Sequence, residues 1–199
     1  DALQAQVNAL GSGSVGPIEL NVDCGIGESV NDALNSVAGN DSEVIVSVSG
    51  LCIEDVIITR DDVTIRGIDG LSKIKGVYAV SARRGASRIN VESITLTGSA
   101  AALSCFSGAS VTATNVIMES SLHGVLSFYQ GSCIVIDSLI TGNNKGLTIG
   151  DNSNVYLQGS VVEGSNQGAN VSGNSSLSTN ASPLNSTSTF RNNILAVQV

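Results

Sequence analysis

The side chains able to bind or cleave another molecule are crowded into one stretch of the chain. Seven of the nine basic residues fall between positions 60 and 88: Arg60, Arg66, Lys73, Lys75, Arg83, Arg84 and Arg88. Arginine suits carboxylate recognition because its planar fork donates two parallel hydrogen bonds. Arg60, Arg66, Arg83, Arg84 and Arg88 are therefore the candidate binding residues, and an acidic polysaccharide is the partner they fit. The same stretch holds Asp61-Asp62, the only adjacent pair of aspartates. With Arg84, Asp61 and Asp62 form the one acid–base set the spacing offers, and they are the catalytic candidates. The competing reading is structural: Glu54, Asp55, Asp61, Asp62 and Asp69 neutralise the arginines as a surface charge network.

Other chemistry is sparse. The single histidine, His123, fills the same slot as Lys145 and Gln167 further on, which makes it an exposed turn residue. The four cysteines show no Cys-x-x-Cys spacing, so no zinc or other metal site is assigned. A net charge of −8 does not suit a protein that must neutralise phosphates, so no nucleic acid is expected. No apolar run approaches the ~20 residues of a membrane span. Hydrophobic residues make up 42% of the chain and charged ones only 13%, which excludes a disordered composition.

The elements that must carry these residues are repetitive. From Glu43 onward, short β-branched runs such as Val44–Val48, Val63–Ile65 and Ile134–Ile136 are broken by Gly, Asn, Asp and Ser. Gly124, Gly146 and Gly168 recur every 22 residues, as do Ser138 and Ser160, and Asn143 and Ser165. One repeat upstream, Val111–Ile117 aligns with Ile134–Ile140 at an offset of 23. A period near 22 with two or three strands per repeat means a solenoid whose coils stack into parallel sheets. The expected fold is all-β and single-domain, a right-handed parallel β-helix with an N-terminal amphipathic capping helix. One coil period places Arg88 beside Arg66, Arg83 beside Arg60, and Arg84 beside Asp62.

The N-terminal part divides in two. Residues 1–17 form a tail, with Leu3, Val7 and Leu10 on a short helical stripe and Gly11–Ser14 as linker; residues 18–199 form the β-helix. The helix is expected over 29–38, with Ser29 as cap, Asp32 three residues on, and Val30, Leu34 and Val37 on one face. It covers the open end of the stack, whose strand edges would otherwise be bare. The apolar run Ile194–Val199 closes the sequence without an obvious cap. Together with the stripe in residues 1–10, it points to a homo-oligomer formed through the chain ends.

Asn21-Val22-Asp23-Cys24-Gly25, Val48-Ser49-Gly50-Leu51-Cys52 and Ile58–Gly67 together resemble the start of right-handed parallel β-helix proteins of the pectin-lyase-like superfamily. The resemblance runs from about Val22 to the end and implies fold more than activity. It implies two kinds of function. One is a secreted or cell-surface, non-catalytic scaffold that binds acidic polysaccharide through coils 60–88. The other is a polysaccharide lyase, glycoside hydrolase or uronate epimerase acting on acidic glycans, with calcium only if it is a lyase and otherwise no cofactor. The hydrolases' Asn-Thr-Asp, Gly-His-Gly and Arg-Ile-Lys pattern is absent. Asp61-Asp62 also lies nearly three coils, ~14 Å, from His123.

Cys24 before the helix and Cys52 in the coil after it are placed to form a disulfide pinning the cap, in keeping with a secreted, periplasmic or cell-surface location. Cys105 and Cys133 are also 28 apart, which does not match the coil period. Cys105 aligns instead with Phe128 and reads as a small buried hydrophobe.

Overall fold

Alternating β-branched residues put every second side chain on one face of a strand. In the computed structural model, which describes residues 16–37, 42–180 and 188–198, those faces close around one apolar interior. The expectations for Leu3, Val7, Leu10 and the Gly11–Ser14 linker fall outside these residues, as does position 38 at the end of the expected helix.

The chain passes through β1 (Ile18–Asp23), a short 3-10 turn and helix α1 (Val30–Ser36), then β2 (Val44–Ser49), β3 (Leu51–Ile53) and β4 (Val56–Ile58). The next two coils are β5 (Val63–Gly67) with β6 (Lys73–Ala82), and β7 (Ile89–Glu92) with β8 (Thr95–Phe106). Three-strand coils follow: β9 (Ser110–Thr114), β10 (Ile117–Glu119) and β11 (His123–Phe128), then β12 (Ser132–Ile136), β13 (Leu139–Thr141) and β14 (Lys145–Ile149). The stack finishes with β15 (Asn154–Gln158), β16 (Val161–Glu163) and β17 (Gln167–Val171), and with β18 (Ser176–Asn180), β19 (Thr189–Arg191) and β20 (Leu195–Gln198).

All pairings are parallel, and they generate a β-solenoid of about seven turns with three faces. The first face is β1-β2-β5-β7-β9-β12-β15-β18. β6 and β8 bend round a corner. Their first halves stack with β3, β10, β13, β16 and β19, and their second halves with β4, β11, β14, β17 and β20.

From β7 onward the first-face register step is 22, through Ile89, Val111, Cys133, Val155 and Leu177. The 23-residue offset for Val111–Ile117 is therefore corrected. Ile134 and Ile136 face outward, opposite Thr112 and Thr114, while Cys133 and Val135 face the core. A slip of one residue turns every side chain to the other face, and apolar residues on both faces hid that slip from the pattern. Nearer the N-terminus the first-face steps are uneven, as Ile18↔Val44, Val44↔Val63 and Val63↔Ile89 show.

Buried polar ladders hold the corners of the stack. The Ser138 hydroxyl accepts from the Val116 amide at 3.0 Å, and Ser160 accepts from Ser138 N at 3.1 Å. At the next corner the Asn143 side chain accepts from Ser121 N at 2.9 Å and donates to Met118 O at 3.0 Å. At the third corner Ser153 accepts from Gly131 N at 3.0 Å. An unpaired buried amide costs roughly 1–3 kcal/mol, so these hydroxyls are what allows corners of so few residues.

The capping helix forms as expected, over Val30–Ser36 with Ser29 as its N-cap and Val37 as its C-cap. Ser29 Oγ accepts from Asp32 N at 3.2 Å, and Val30, Ala33 and Leu34 are buried. Glu54 from the coil beneath supplies a carboxylate to the helix start. It accepts from Val30 N at 2.8 Å, Asn31 N at 3.1 Å and Asn31 Nδ2 at 2.7 Å. A negative charge there satisfies orphan amides and complements the helix dipole.

Cys24 and Cys52 are joined as a disulfide, as expected. Cys105 and Cys133 are joined as well, which corrects the reading of Cys105 as a free hydrophobe. Cys105 stacks on Ser127 rather than Phe128. Its partner lies across a corner: Cys133 sits in register above Val111, on the first face, and both sulfurs are buried inside the solenoid.

Candidate functional site

The five candidate arginines are built into the coils in different ways. Arg60 donates to Val37 O at 3.1 Å and Ser42 O at 2.7 Å, tying the two ends of the segment that follows α1 to the stack. Arg66 faces Glu92 in register and donates to Ser47 Oγ at 3.1 Å. Arg88 grips Asp62 with two nitrogens, Nε at 2.5 Å and Nη2 at 2.7 Å. Arg83 lies over the rings of Tyr78 and Phe106, 5.6 and 5.9 Å from their centroids, and donates to Ser81 Oγ at 2.8 Å. Arg84 is exposed and makes no hydrogen bond or ion pair among the described residues.

The neighbours expected from one coil period are not the ones observed. Val63 pairs with Ile89, so Arg88 rather than Arg84 comes to Asp62, and Arg66 meets Glu92 rather than Arg88. Ile58 pairs with Ala82, so Arg60 and Arg83 fall out of register. The chief cause is a longer first corner in this coil, between β5 and β6, where Lys73 follows Val63 by ten residues whereas Thr95 follows Ile89 by six; the 22-residue average of later repeats does not report it.

The acidic residues are engaged too. Asp61 accepts from Ser87 N at 2.7 Å, and Arg88 holds the Asp62 carboxyl below its ordinary range. Asp69 accepts from the Ser72 hydroxyl at 2.5 Å, from Leu71 N at 2.9 Å and from Gly50 N at 3.2 Å, and is likewise held low, chiefly by Ser72. Asp55 accepts from Val77 N and Tyr78 N at a β-bulge. These carboxylates form a network that joins side chains to backbone more than to arginine.

His123 differs from its reading as a turn residue. It begins β11, half-buried, with Nδ1 2.8 Å from Thr148 Oγ1 and Lys145 in register beside it. Burial, and secondarily the Lys145 charge, pushes its pKa down. Cys24, Cys52 and Glu54 lie close enough to one another to suggest a metal cluster. The sulfurs, however, are bonded to each other and Glu54 is spent on α1, so no thiolate remains to ligate a cation.

The third corner carries a feature the sequence reading did not find. Five successive turns each place two residues in the left-handed region: Arg84-Gly85, Ser107-Gly108, Tyr129-Gln130, Asp151-Asn152 and Gly173-Asn174. Their backbones stack, with Gly108 N donating to Tyr129 O at 2.9 Å, Gln130 N to Asp151 O at 3.0 Å and Asn152 N to Gly173 O at 2.8 Å. Glycine is the residue for such a φ, and Asp and Asn tolerate it. Tyr129 (φ 56°) and Gln130 (φ 66°) have neither advantage, at a cost of roughly 1–3 kcal/mol each. Over this pair lies an open depression of about 440 Å³, lined by Ser107, Tyr129, Gln130, Asp151 and Asn152. The one sequence signal for it is Asp151-Asn152, two residue types that tolerate left-handed backbone. A second depression, about 380 Å³, lies against Ile68, Ile94 and Ile117 and has no charged lining residue.

Comparison with family models finds none that matches the chain, and comparison with curated proteins finds no match either. The class is therefore defined by the fold alone: a single-domain, mostly β protein, wound as a parallel β-solenoid of about 22 residues per coil and locked by two disulfides. No described helix is long and apolar enough to cross a membrane.

Proposed function

We propose that this chain is a non-catalytic member of the right-handed, pectin-lyase-like type of β-helix, acting outside the cell as a rigid interaction scaffold. The observation that carries this reading is the engagement of its charged groups. Asp62 is clamped by Arg88 and Asp61 by a backbone amide, which leaves neither in contact with Arg84 to share a proton with it. Two disulfides are in keeping with an oxidising compartment. Contact with an acidic polysaccharide narrows to Arg84, with Arg83 beside it on its aromatic bed, because Arg60, Arg66 and Arg88 are occupied within the chain. Self-association through the ends of the stack belongs to the same reading, and a monomeric mass by light scattering at high concentration would remove it.

The test is incubation with uronate oligosaccharides, with and without calcium, read by mass spectrometry and by binding. Unchanged oligosaccharides, and binding weakened at least several-fold in Arg84→Ala but not in Lys145→Ala, are expected. Shortened or unsaturated products would make the chain an enzyme and overturn the scaffold. Binding indifferent to Arg84→Ala would remove the arginine contact.

A further inference from the structure

We propose that the depression on the third-corner turn column is a binding site for a neutral oligosaccharide. It shares no residue with the arginine contact proposed above and stands or falls separately. Four features point there. Tyr129 is 62% exposed, with its ring beside that of Phe128, whose centroid is 6.1 Å away. Phe128 in turn lies over Gly150, where any Cβ would strike the ring, so the base of the aromatic pair is fixed by the fold. Around Tyr129 stand Ser107, Gln130, Asp151 and Asn152, a carboxylate, two amides and a hydroxyl. The turn that presents Tyr129 and Gln130 uses two side chains poorly suited to left-handed backbone, while three of the other four turns in the column use glycine.

A sugar ring has the complementary chemistry. Its C–H face packs on an aromatic ring, and its hydroxyls donate to carboxylates and both donate to and accept from amides. Alternative ligands fit less well. A phosphate or sulfate would meet Asp151 with no cation lining the depression. An apolar peptide would leave the polar rim unpaired. A cation would find one carboxylate where hard ions take six or more oxygens. The volume of about 440 Å³ falls within the ~300–1,000 Å³ range of small-molecule sites. The coils are spaced ~4.8 Å apart, about the length of one sugar unit in an extended chain. An oligosaccharide lying along the solenoid axis would thus set one ring on Tyr129 and the next against Asp151 and Asn152.

The strain at Tyr129-Gln130 is what fixes the site as built rather than incidental. A turn in this position needs no tyrosine for folding, because Ser107-Gly108 and Gly173-Asn174 make the same bend without one. The hydrogen bonds from Gly108 N to Tyr129 O and from Gln130 N to Asp151 O hold this turn in one conformation before any ligand arrives, so less conformational freedom is lost on binding.

The experiment is titration of the intact chain with neutral hexasaccharides of glucose, mannose, galactose and xylose, followed by calorimetry and tyrosine fluorescence, in the absence of uronates. At least one sugar is expected to bind. Tyr129→Ala should weaken that binding tenfold or more, Tyr129→Phe should retain it, and Asp151→Ala should weaken it several-fold. Gln130→Gly relaxes the backbone, so its fold is secure, and it should bind more weakly while unfolding at higher denaturant. Circular dichroism confirms that each variant is folded. No binding by any of the four sugars up to millimolar concentration, or binding unaffected by Tyr129→Ala, would overturn the proposal. In a second titration with uronate hexasaccharides alone, binding that needs Tyr129 would also overturn it, by making the site an acidic-glycan site.

Discussion

A histidine held neutral inside a fold makes that fold sensitive to acid, and His123 is the only histidine in the chain. Its pKa is lowered by burial and by Lys145, so just below the ordinary value of ~6.5 the unfolded chain binds a proton that the folded chain does not. Stability therefore rises with pH through that window and is lost as pH falls below it. Asp62 and Asp69 also have lowered pKa values, but they act in a separate window. Their contribution is present above the ordinary carboxylate pKa and disappears only as pH falls further. Urea midpoints measured between pH 7.5 and 5.5 should decline, and His123→Gln should flatten that decline while leaving the more acidic one in place. An identical slope in the variant would mean that His123 is not the group responsible. The repeat placed His123 correctly in the same column as Lys145 and Gln167, yet its position in a turn was misread. The polar side chains of that column suggested a turn, and the glycine that follows His123, Gly124, is compatible with one. It reads as a turn residue, but it is there because a Cβ would lie 2.6 Å from Gly146 O and run into Ile140, where adjacent coils approach closely. Glycine that serves close packing and glycine that serves a turn look alike in a sequence.

At the scale of elements, the two disulfides offer a controlled comparison. Both close loops with a sequence separation of 28, so the chain-entropy model gives each about 3–4 kcal/mol. Their surroundings differ. Cys105 and Cys133 are fully buried between the third and first faces, whereas Cys24 is only partly buried at the cap. Mild reduction without denaturant, followed by alkylation and mass spectrometry, should first modify Cys24 and Cys52. Cys105 and Cys133 should remain protected until the stack unfolds. Simultaneous modification of all four would show that cap and stack open together. The cap and its bridge were legible because helix signals and a cysteine on either side are local features. The buried bridge was not, because periodicity compares positions on one face, while this bond crosses the interior between two faces. The same limitation misplaced the arginines. The first-face repeat is regular only from β7 onward, and the longer corner before it moved Arg88 into the place assigned to Arg84.

For the whole molecule, the regular coils should behave as interchangeable units, because each interacts mainly with its two neighbours. The steps from β10 to β13 and from β13 to β16 are both 22 residues, so removing residues 140–161 joins Leu139 to Val162 without changing any register. The shortened chain should fold cooperatively, unfold at lower denaturant, and be shorter by one strand spacing, ~4.8 Å, in small-angle scattering. Removing residues 64–85 takes out the same length where the steps are irregular. It separates Arg88 from Asp62 and Asp55 from the amides it caps, and that chain should not fold. The two deletions are matched in size, so equal behaviour would refute the modular stack. The first deletion also bears on binding. With Asp151 and Asn152 gone, Tyr129-Gln130 comes to rest on Gly173-Asn174, so a chain that still folds should have lost its neutral oligosaccharide while keeping the Arg84 contact with uronates. That separation of the two ligands in one folded protein requires that the sites be distinct patches on a common frame, since a single groove would lose both or neither.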